Sequence, residues 1–334
     1  MSPARYVVSR RKLLQLAAAV PIGAVIAACS SNDDGTEDER EAPRVGNGEL
    51  SVATVVPELP ATATSTPLPT ATPEPFIVPA GEQQLMLMPG TPYETPYYVY
   101  GTGNLGPILT VLGGVHGNEP GGWLAAERLV ERVRPTSGAL LVVPRANRLA
   151  VDLFERTTDD LGDLNRLYPG DPDGPPMAQM AHEIVETLKA FHATHVIDMH
   201  ESWSFYRDRT ESQTGTAYLG QTVSSRGEPG ESLGKQLVET VNATKVLLTH
   251  EEMTFREWPP RDRAPGTPIT GDTNSGTPIA GFTGYRGSRS SLGLPTHIPG
   301  LAALLVEMGQ QQDLERRIQL HVDIVSEALR LLDA

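Results

Sequence analysis

The stretch LTVLGGVHGNEPGGWLAAERLV, from Leu109 to Val130, places a histidine and a glutamate three residues apart where a strand-like run becomes a helix-like run. The apolar run ends in two glycines and is followed by His116 and Glu119, and Pro120 is suited to the first turn of a helix. A strand that leads into a helix is the unit from which helix-covered, mostly parallel sheets are built. The stretch therefore predicts an α/β fold with two metal-ligand residue types at a strand end.

The rest of the chain continues this alternation. Apolar runs predict strands at residues 97–103, 107–115, 138–147, 194–200, 245–250 and 300–309, and helical periodicity predicts helices at 120–133, 177–191, 231–241 and 314–332. This order favours one α/β domain with a mostly parallel or mixed sheet and helices on both faces. Residues 253–299 are rich in Gly, Pro, Thr and Arg and too long for a simple connector, so we expect functional loops there.

Residues 1–28 are predicted to be an export signal of the lipoprotein type. Two adjacent arginines precede a short, mostly apolar run that ends in Ile-Ala-Ala-Cys, which resembles the lipobox of bacterial lipoproteins. The lipidated residue would be Cys29, which is the only cysteine in the chain. The arginine pair also resembles a twin-arginine export motif, and a plain cleaved signal peptide or an uncleaved anchor is the alternative. We expect an extracytoplasmic protein attached to the membrane through its N-terminal lipid only.

Amino-acid composition predicts that the chain after the export signal consists of a tether followed by a catalytic domain. Residues 29–76 are first acidic and then Thr/Pro-rich without apolar periodicity, which predicts a disordered, extended tether, and the domain would span residues 77–334. The net charge of −14 argues against nucleic acid or an anionic lipid surface as a partner. A single cysteine excludes an intramolecular disulfide and thiol catalysis elsewhere in the chain.

Residues at the predicted strand ends form a candidate metal site. His116 and Glu119 can bind one ion from a sharp turn that the flanking glycines permit. His200 ends a predicted strand and is the best-placed third ligand, and Asp198 lies on the same strand face, where it could orient that histidine. His250 ends another predicted strand and is the competitor. Zinc takes such mixed nitrogen and oxygen ligands, although cobalt and manganese fit them as well.

Glu307 follows a buried apolar run near the end of the last predicted strand. A carboxylate there is unusual as packing and suits a general base that deprotonates a metal-activated water and later protonates the leaving nitrogen. The alternative is an ordinary carboxylate at the edge of the sheet.

Four motifs in this order resemble the succinylglutamate desuccinylase/aspartoacylase family, which belongs with the zinc carboxypeptidases. They are GGVHGNEPGG, GDLNRLYPG (residues 162–170), DMHES and VEMG. The resemblance implies a zinc carboxypeptidase-like fold with one zinc ion per chain. It also implies that His116, Glu119 and His200 bind the zinc and that Glu307 is the catalytic base.

The same resemblance implies how the substrate is held. Asn165 and Arg166 would bind a substrate carboxylate, for which an Asn–Arg pair offers suitable donors, unless Arg166 only makes a surface salt bridge. An arginine shortly before this pair would polarise the scissile carbonyl; Arg156 is the nearest match and Arg148 is the alternative. Tyr285 lies where the carboxypeptidases keep a mobile tyrosine, although Gly-Tyr-Arg-Gly is equally suited to a turn.

We therefore expect a zinc hydrolase that cleaves an amide bond, of a peptide or an N-acyl amino acid, or an ester bond, next to a carboxylate-bearing residue. The aspartoacylase branch carries an extra C-terminal domain, whereas the 27 residues after Glu307 are predicted to form one helix. Together with export, this favours peptides, including cell-wall peptides. The other classes are a non-catalytic surface lipoprotein that binds peptides or a metal, a cell-wall anchoring module, and a serine hydrolase, for which the chain has no G-x-S-x-G motif.

Overall fold

The computed structural model describes residues 76–158, 160–210, 216–226, 228–248, 250–257 and 289–334. The predicted export signal, nearly all of the predicted tether, Cys29 and Tyr285 lie outside the described residues and stay predictions. Within the described ranges, no helix is both long enough and apolar enough to cross a membrane.

Most strands of the described chain form one eight-stranded mixed sheet in the order β1-β2-β4-β3-β5-β10-β8-β9, and β6 pairs with β7 separately. The strands are β1 (Gly81–Leu87), β2 (Thr95–Gly101), β3 (Ile108–Leu112), β4 (Ala139–Val143), β5 (His195–Ser202), β6 (Ser204–Phe205), β7 (Tyr218–Gly220), β8 (Thr222–Arg226), β9 (Thr254–Glu257) and β10 (Ala302–Gly309). The central strands β4, β3, β5 and β10 are parallel to one another. The antiparallel pairs β1–β2, β2–β4 and β8–β10 flank them.

Helices cover both faces of this sheet. They are α1 (Pro120–Arg132), α2 (Arg148–Leu153), α3 (Pro176–Ala190), α4 (Gly230–Thr244) and α5 (Leu314–Leu331). Along β4, Leu140 and Val142 belong to the core cluster that includes residues of α1, α4 and α5, whereas Leu141 and Val143 belong to the core cluster on the other face, which includes residues of α3. Successive strand residues point to opposite faces, so an uninterrupted apolar strand must be buried on both sides. The predicted α/β fold with helices on both faces is confirmed.

The predicted strand at residues 245–250 is wrong. Helix α4 ends at Thr244 with Lys245 as its C-cap residue, and Val246 and Leu248, which follow, are 89% and 70% exposed. The strand next to β10 is instead β8, which buries the polar residues Thr222 and Ser224 and therefore has no apolar signal in the sequence. His250 consequently does not end a strand, and its ring stacks on Phe205 with centroids 5.2 Å apart.

Replacing His195 by glutamine is expected to reduce the acid sensitivity of the fold. His195 begins β5 and is 8% exposed, and burial lowers its pKa to about 4. The unfolded-state pKa is about 6.5, so the neutral buried ring contributes stability that is present above pH 6.5 and is lost as the pH falls towards 4. Between pH 7 and pH 4.5, measured by urea unfolding, the wild type should lose on the order of 2 kcal/mol more than His195→Gln. Equal losses in the two proteins would contradict this assignment.

Candidate metal centre and active site

The strands that carry the predicted site residues are neighbours in the sheet. β3, β5 and β10 run parallel, so their carboxyl ends meet at one edge. His200 of β5 and Glu307 of β10 are direct partners in the register of these two strands. The chain leaves β3 through the turn that contains His116, and Glu119 is the N-cap residue of α1. The structure thus brings these four residues to the same edge.

The turn between β3 and α1 depends on glycine at two positions. Gly114 has a φ of 65°, which other residues rarely adopt. A Cβ atom on Gly117 would lie 1.9 Å from the carbonyl oxygen of Ala150, so α2 can approach the turn only because this position has no side chain. Close packing therefore fixes the backbone that carries His116 and Glu119.

Three donor groups converge at this edge. The Nδ1 atom of His116 lies 2.8 Å from Oε1 of Glu119, and Nδ1 of His200 lies 2.8 Å from Oε2 of the same carboxylate. The two Nδ1 atoms are 3.0 Å apart. All three side chains are buried, and they offer one ligand atom each within 4.8 Å of one another. This group could hold one metal ion.

The outer nitrogens of the two histidines face other carboxylates. Nε2 of His116 lies 3.1 Å from Asp163, and Nε2 of His200 lies 2.7 Å from Asp198. A carboxylate partner keeps the ring proton on Nε2, so each neutral ring turns the lone pair of Nδ1 towards Glu119. Two lone pairs and a carboxylate about 3 Å apart repel one another unless a cation lies between them. The chemistry of this donor set therefore fits a divalent metal ion such as zinc.

The shifted pKa values of His200 and Glu119 also indicate that this cluster favours a positive charge. Burial by itself favours the neutral ring of His200, but Asp198 and Glu119 together raise its pKa well above the usual value. Burial by itself would raise the pKa of Glu119, but His116 and His200 lower it well below the usual range. Without a metal ion, a proton on the imidazole thus supplies the cation that the carboxylates require.

Glu307 lies beside the metal-ligand group but outside it. It is 7% exposed, and its Oε2 accepts a hydrogen bond of 2.8 Å from the hydroxyl of Ser202. Burial, strengthened by the negative charge of Glu119, raises the pKa of Glu307 to about 7, although His200 acts in the opposite direction. A carboxyl group with this pKa exchanges its proton near neutral pH, which is the property that a general base needs.

The structure places Arg156, and not Arg148, at the cluster. The guanidinium of Arg156 lies 3.2 Å from Oε1 of Glu119 and 3.4 Å from Asp163, and its side chain is 41% exposed. The guanidinium of Arg148 instead bonds to the carbonyl oxygens of Pro92 and Glu94. Arg156 is therefore the arginine that can reach both the ligand group and solvent.

Asn165 and Arg166 lie in a short 3-10 helix (Leu164–Arg166) next to the cluster. The side chain of Asn165 is buried, with Nδ2 3.3 Å from Nε2 of His200 and Oδ1 accepting from the main-chain N–H of Ser291. The half-buried Arg166 donates to the carbonyl oxygen of Asn165. Both residues border the site, and their binding of a substrate carboxylate stays a prediction.

Sequence reasoning missed two partners of the site residues. Asp163 was not identified, although it stands two residues before Asn165 in a motif that resembles the family, and this position was the available signal. Ser202 was not identified either, although it is the last residue of the DMHES motif, and this position was the available signal. Its contact with Glu307 depends on the pairing of β5 with β10, which joins residues 105 positions apart in the chain.

Comparison with known proteins shows a match to one family over part of the chain. Residues 105–204 match the succinylglutamate desuccinylase/aspartoacylase catalytic domain, and this stretch contains all three residues of the metal-ligand group. Within these residues the chain is similar to the succinylglutamate desuccinylase/aspartoacylase family. Over 98 residues, the sequence is also 36% identical to the N-alpha-acetyl-L-2,4-diaminobutyric acid deacetylase of Halomonas elongata, with 28% of each protein covered. The resemblance predicted from the four motifs is confirmed.

Solved structures share the fold of this chain. Product-bound cell shape determinant protein Csd4 from Helicobacter pylori has a TM-score of 0.54 at 18% identity, covering 68% of this chain and 51% of Csd4. A succinylglutamate desuccinylase/aspartoacylase from Rhodobacter sphaeroides has a TM-score of 0.50 at 19% identity, covering 76% of this chain and 66% of the other. The chain thus spans about half the length of Csd4 and a smaller share of the deacetylase. The predicted zinc carboxypeptidase-like fold is confirmed.

Proposed function

We propose that this protein is a zinc-dependent hydrolase that cleaves an amide bond next to a carboxylate-bearing residue. The observation that carries the proposal is the convergence of His116, Glu119 and His200 on one point, with the buried Glu307 beside them. The family match supports hydrolytic chemistry, because the relative from Halomonas elongata is named a deacetylase. An ester bond in the same position would be cleaved by the same groups.

The residues of the chain have distinct tasks in this reaction. His116, Glu119 and His200 would hold a zinc ion, which would supply a Lewis acid able to lower the pKa of a water molecule to about 7 and to polarise a carbonyl group. Glu307 accepts the proton of the attacking water and then donates it to the leaving nitrogen. Asp163 and Asp198 keep the two histidines in the orientation that turns Nδ1 inwards. Arg156 stabilises the negative charge that develops on the carbonyl oxygen.

We further propose that the substrate presents a free carboxylate to Asn165 and Arg166. These two residues border the ligand group, and a bound carboxylate there would place the adjacent amide next to Glu307. Csd4, which shares the fold, is described as a D,L-carboxypeptidase with an mDAP-bound form. With the export and lipidation motifs of residues 1–29, this supports peptides outside the cytoplasm, including cell-wall peptides, as the substrate class.

The test is a metal and substrate profile of the purified protein. We expect about one zinc ion per chain by elemental analysis, turnover of peptides with a free C-terminal carboxylate, and no turnover of the same peptides after C-terminal amidation. N-acyl amino acids tested in parallel would separate a deacylase from a carboxypeptidase. A protein that holds no stoichiometric metal even after incubation with zinc is not this enzyme, and the non-catalytic binding lipoprotein then becomes the better interpretation.

A further inference from the structure

A buried ion pair lies behind the metal-ligand group and joins it to the last helix. Glu201 directly follows His200 in β5, and Arg317 lies in the first turn of α5. Nη1 of Arg317 is 2.7 Å from both carboxylate oxygens of Glu201. Glu201 is 5% exposed and Arg317 is 8% exposed, so the pair is shielded from solvent and acts over a short distance at low dielectric. The chemistry described above does not use either residue.

Glu201 contacts the ligand Glu119 through its main chain. Its N–H donates a hydrogen bond of 3.0 Å to Oε2 of Glu119, the same oxygen that lies 2.8 Å from His200. The other oxygen of Glu119 lies between His116 and Arg156. The N–H of Glu201 therefore fixes the rotation of the Glu119 carboxylate, and with it the oxygen that each histidine faces.

Glu201 also supports α1, which begins directly after Glu119. The N-cap residue Glu119 makes no hydrogen bond from its side chain to the helix, because its carboxylate is turned towards the histidines. The Glu201 carboxylate instead lies against the first turn of α1 and interacts with the N–H of Gly121. A Cβ atom on Gly121 would lie 2.1 Å from this carboxylate, so any side chain at this position would displace the Glu201 carboxylate. A negative group at a helix N-terminus is favourable and satisfies an N–H that has no partner within the helix.

Charge balance explains the role of Arg317. The Glu201 carboxylate is buried close to the Glu119 carboxylate, and two buried negative charges repel each other unless one is compensated. Among the described residues, Arg317 is the cation that forms an ion pair with Glu201. Without Arg317, the Glu201 carboxylate would turn towards solvent, so the contact with α1 would be lost and the direction of the Glu201 N–H would change.

We propose that Arg317 and Glu201 form a positioning pair that holds Glu119 in its ligand geometry, so that the last helix of the fold sets the affinity for the metal ion. This inference rests on the metal site of the proposed function. The alternative, purely structural interpretation is that the pair only attaches α5 to the sheet and contributes to global stability. The two interpretations differ in metal affinity, which a purely structural ion pair does not change.

The experiment compares Arg317→Met with Arg316→Met. Arg316 is a matched control, since it makes two bonds of 2.8 Å to the buried Glu251 from the neighbouring position of α5, and no bond of it to the ligand group appears among the described residues. For each protein, the zinc Kd is measured by competition with a chromogenic chelator and Tm is measured without metal. We expect Arg317→Met to weaken zinc binding about 10–100-fold, as the loss of a partner that orients a ligand does elsewhere. Arg316→Met should lower Tm and change the zinc Kd less than about threefold, which is well below that range.

Two further variants keep the test decisive. Arg317→Lys retains the positive charge and should have most of the wild-type affinity for zinc. Glu201→Gln retains the shape of the side chain and the main-chain N–H but removes the ion pair, so it should also weaken zinc binding. It serves as the test if Arg317→Met does not fold. A zinc Kd that stays at the wild-type value in Arg317→Met or Glu201→Gln, with a lowered Tm, would overturn the proposal and leave a structural ion pair. Absence of stoichiometric zinc in the wild type would overturn the metal site itself, so the two failures are distinguishable.

Discussion

Replacing Glu307 by glutamine is expected to lower kcat by about 10³-fold while the zinc content stays at the wild-type value. Glutamine keeps the size of the side chain and can still accept a hydrogen bond from Ser202, but it cannot accept a proton from water. Because Glu307 lies outside the ligand group, its loss should remove proton transfer without removing the metal ion. Turnover kinetics and elemental analysis of the same preparation measure both quantities.

The control for this variant is Glu315→Gln, which makes the same chemical change at an exposed position paired with Arg128. Its kcat should equal that of the wild type. The pH profile adds an independent check, since activity should fall as the pH drops through the pKa of Glu307. Burial raises that pKa to about 7, and a bound cation nearby lowers it. A glutamine variant that retains wild-type kcat, or that has lost its metal, contradicts the role of general base.

Replacing His116 by alanine is expected to weaken zinc binding by more than about 100-fold. The loss of a residue that merely orients a ligand costs about 10–100-fold in metal affinity, and loss of a ligand itself costs more. The remaining pair of Glu119 and His200 cannot complete the coordination that zinc requires. The measurement is the zinc Kd by chelator competition, together with turnover at one equivalent of zinc, which should be lost.

Thermal unfolding distinguishes a lost ligand from a damaged fold. A ligand that binds only the folded state raises Tm in proportion to the logarithm of its concentration over its Kd. Zinc should therefore raise Tm in the wild type and in the control His182→Ala, whose histidine lies in α3 away from the cluster, but not in His116→Ala. A rise in the alanine variant as large as that of the wild type would show that His116 is not a ligand.

The parts of the structure that the sequence could predict are those with a local signal. The apolar strands β3, β4, β5 and β10 and the long helices were predicted because burial on both faces demands uninterrupted apolar runs and helices require a 3.6-residue period. The strand β8 was missed because it buries Thr222 and Ser224 instead of aliphatic residues. The apolar residues Val246 and Leu248 led to the wrong prediction of a strand, because they are exposed and do not belong to the core.

The residues of the site likewise fall into those that a local sequence pattern could predict and those that it could not. His116, Glu119, His200 and Glu307 could be proposed because each stands at the end of an apolar run, and the resemblance to the family joined them. The order of strands in the sheet is not written in any local pattern, so the direct pairing of His200 with Glu307 could not be derived. Arg317 could not be predicted for the same reason, because its contact with Glu201 joins residues 116 positions apart and no local pattern marks Arg317.

The pairing of β5 with β10 separates the residues of the candidate site that are fixed by the sheet from those that are not. His200 and Glu307 sit opposite each other on two hydrogen-bonded strands in the middle of the sheet, so their spacing is set by the backbone ladder. Arg156, Asn165 and Arg166, by contrast, come from a connection between helices, where sequence and length vary readily during evolution. If the proposed function is correct, descendants of this fold can exchange one substrate for another by altering a connecting segment, while the proposed hydrolytic step is inherited unchanged.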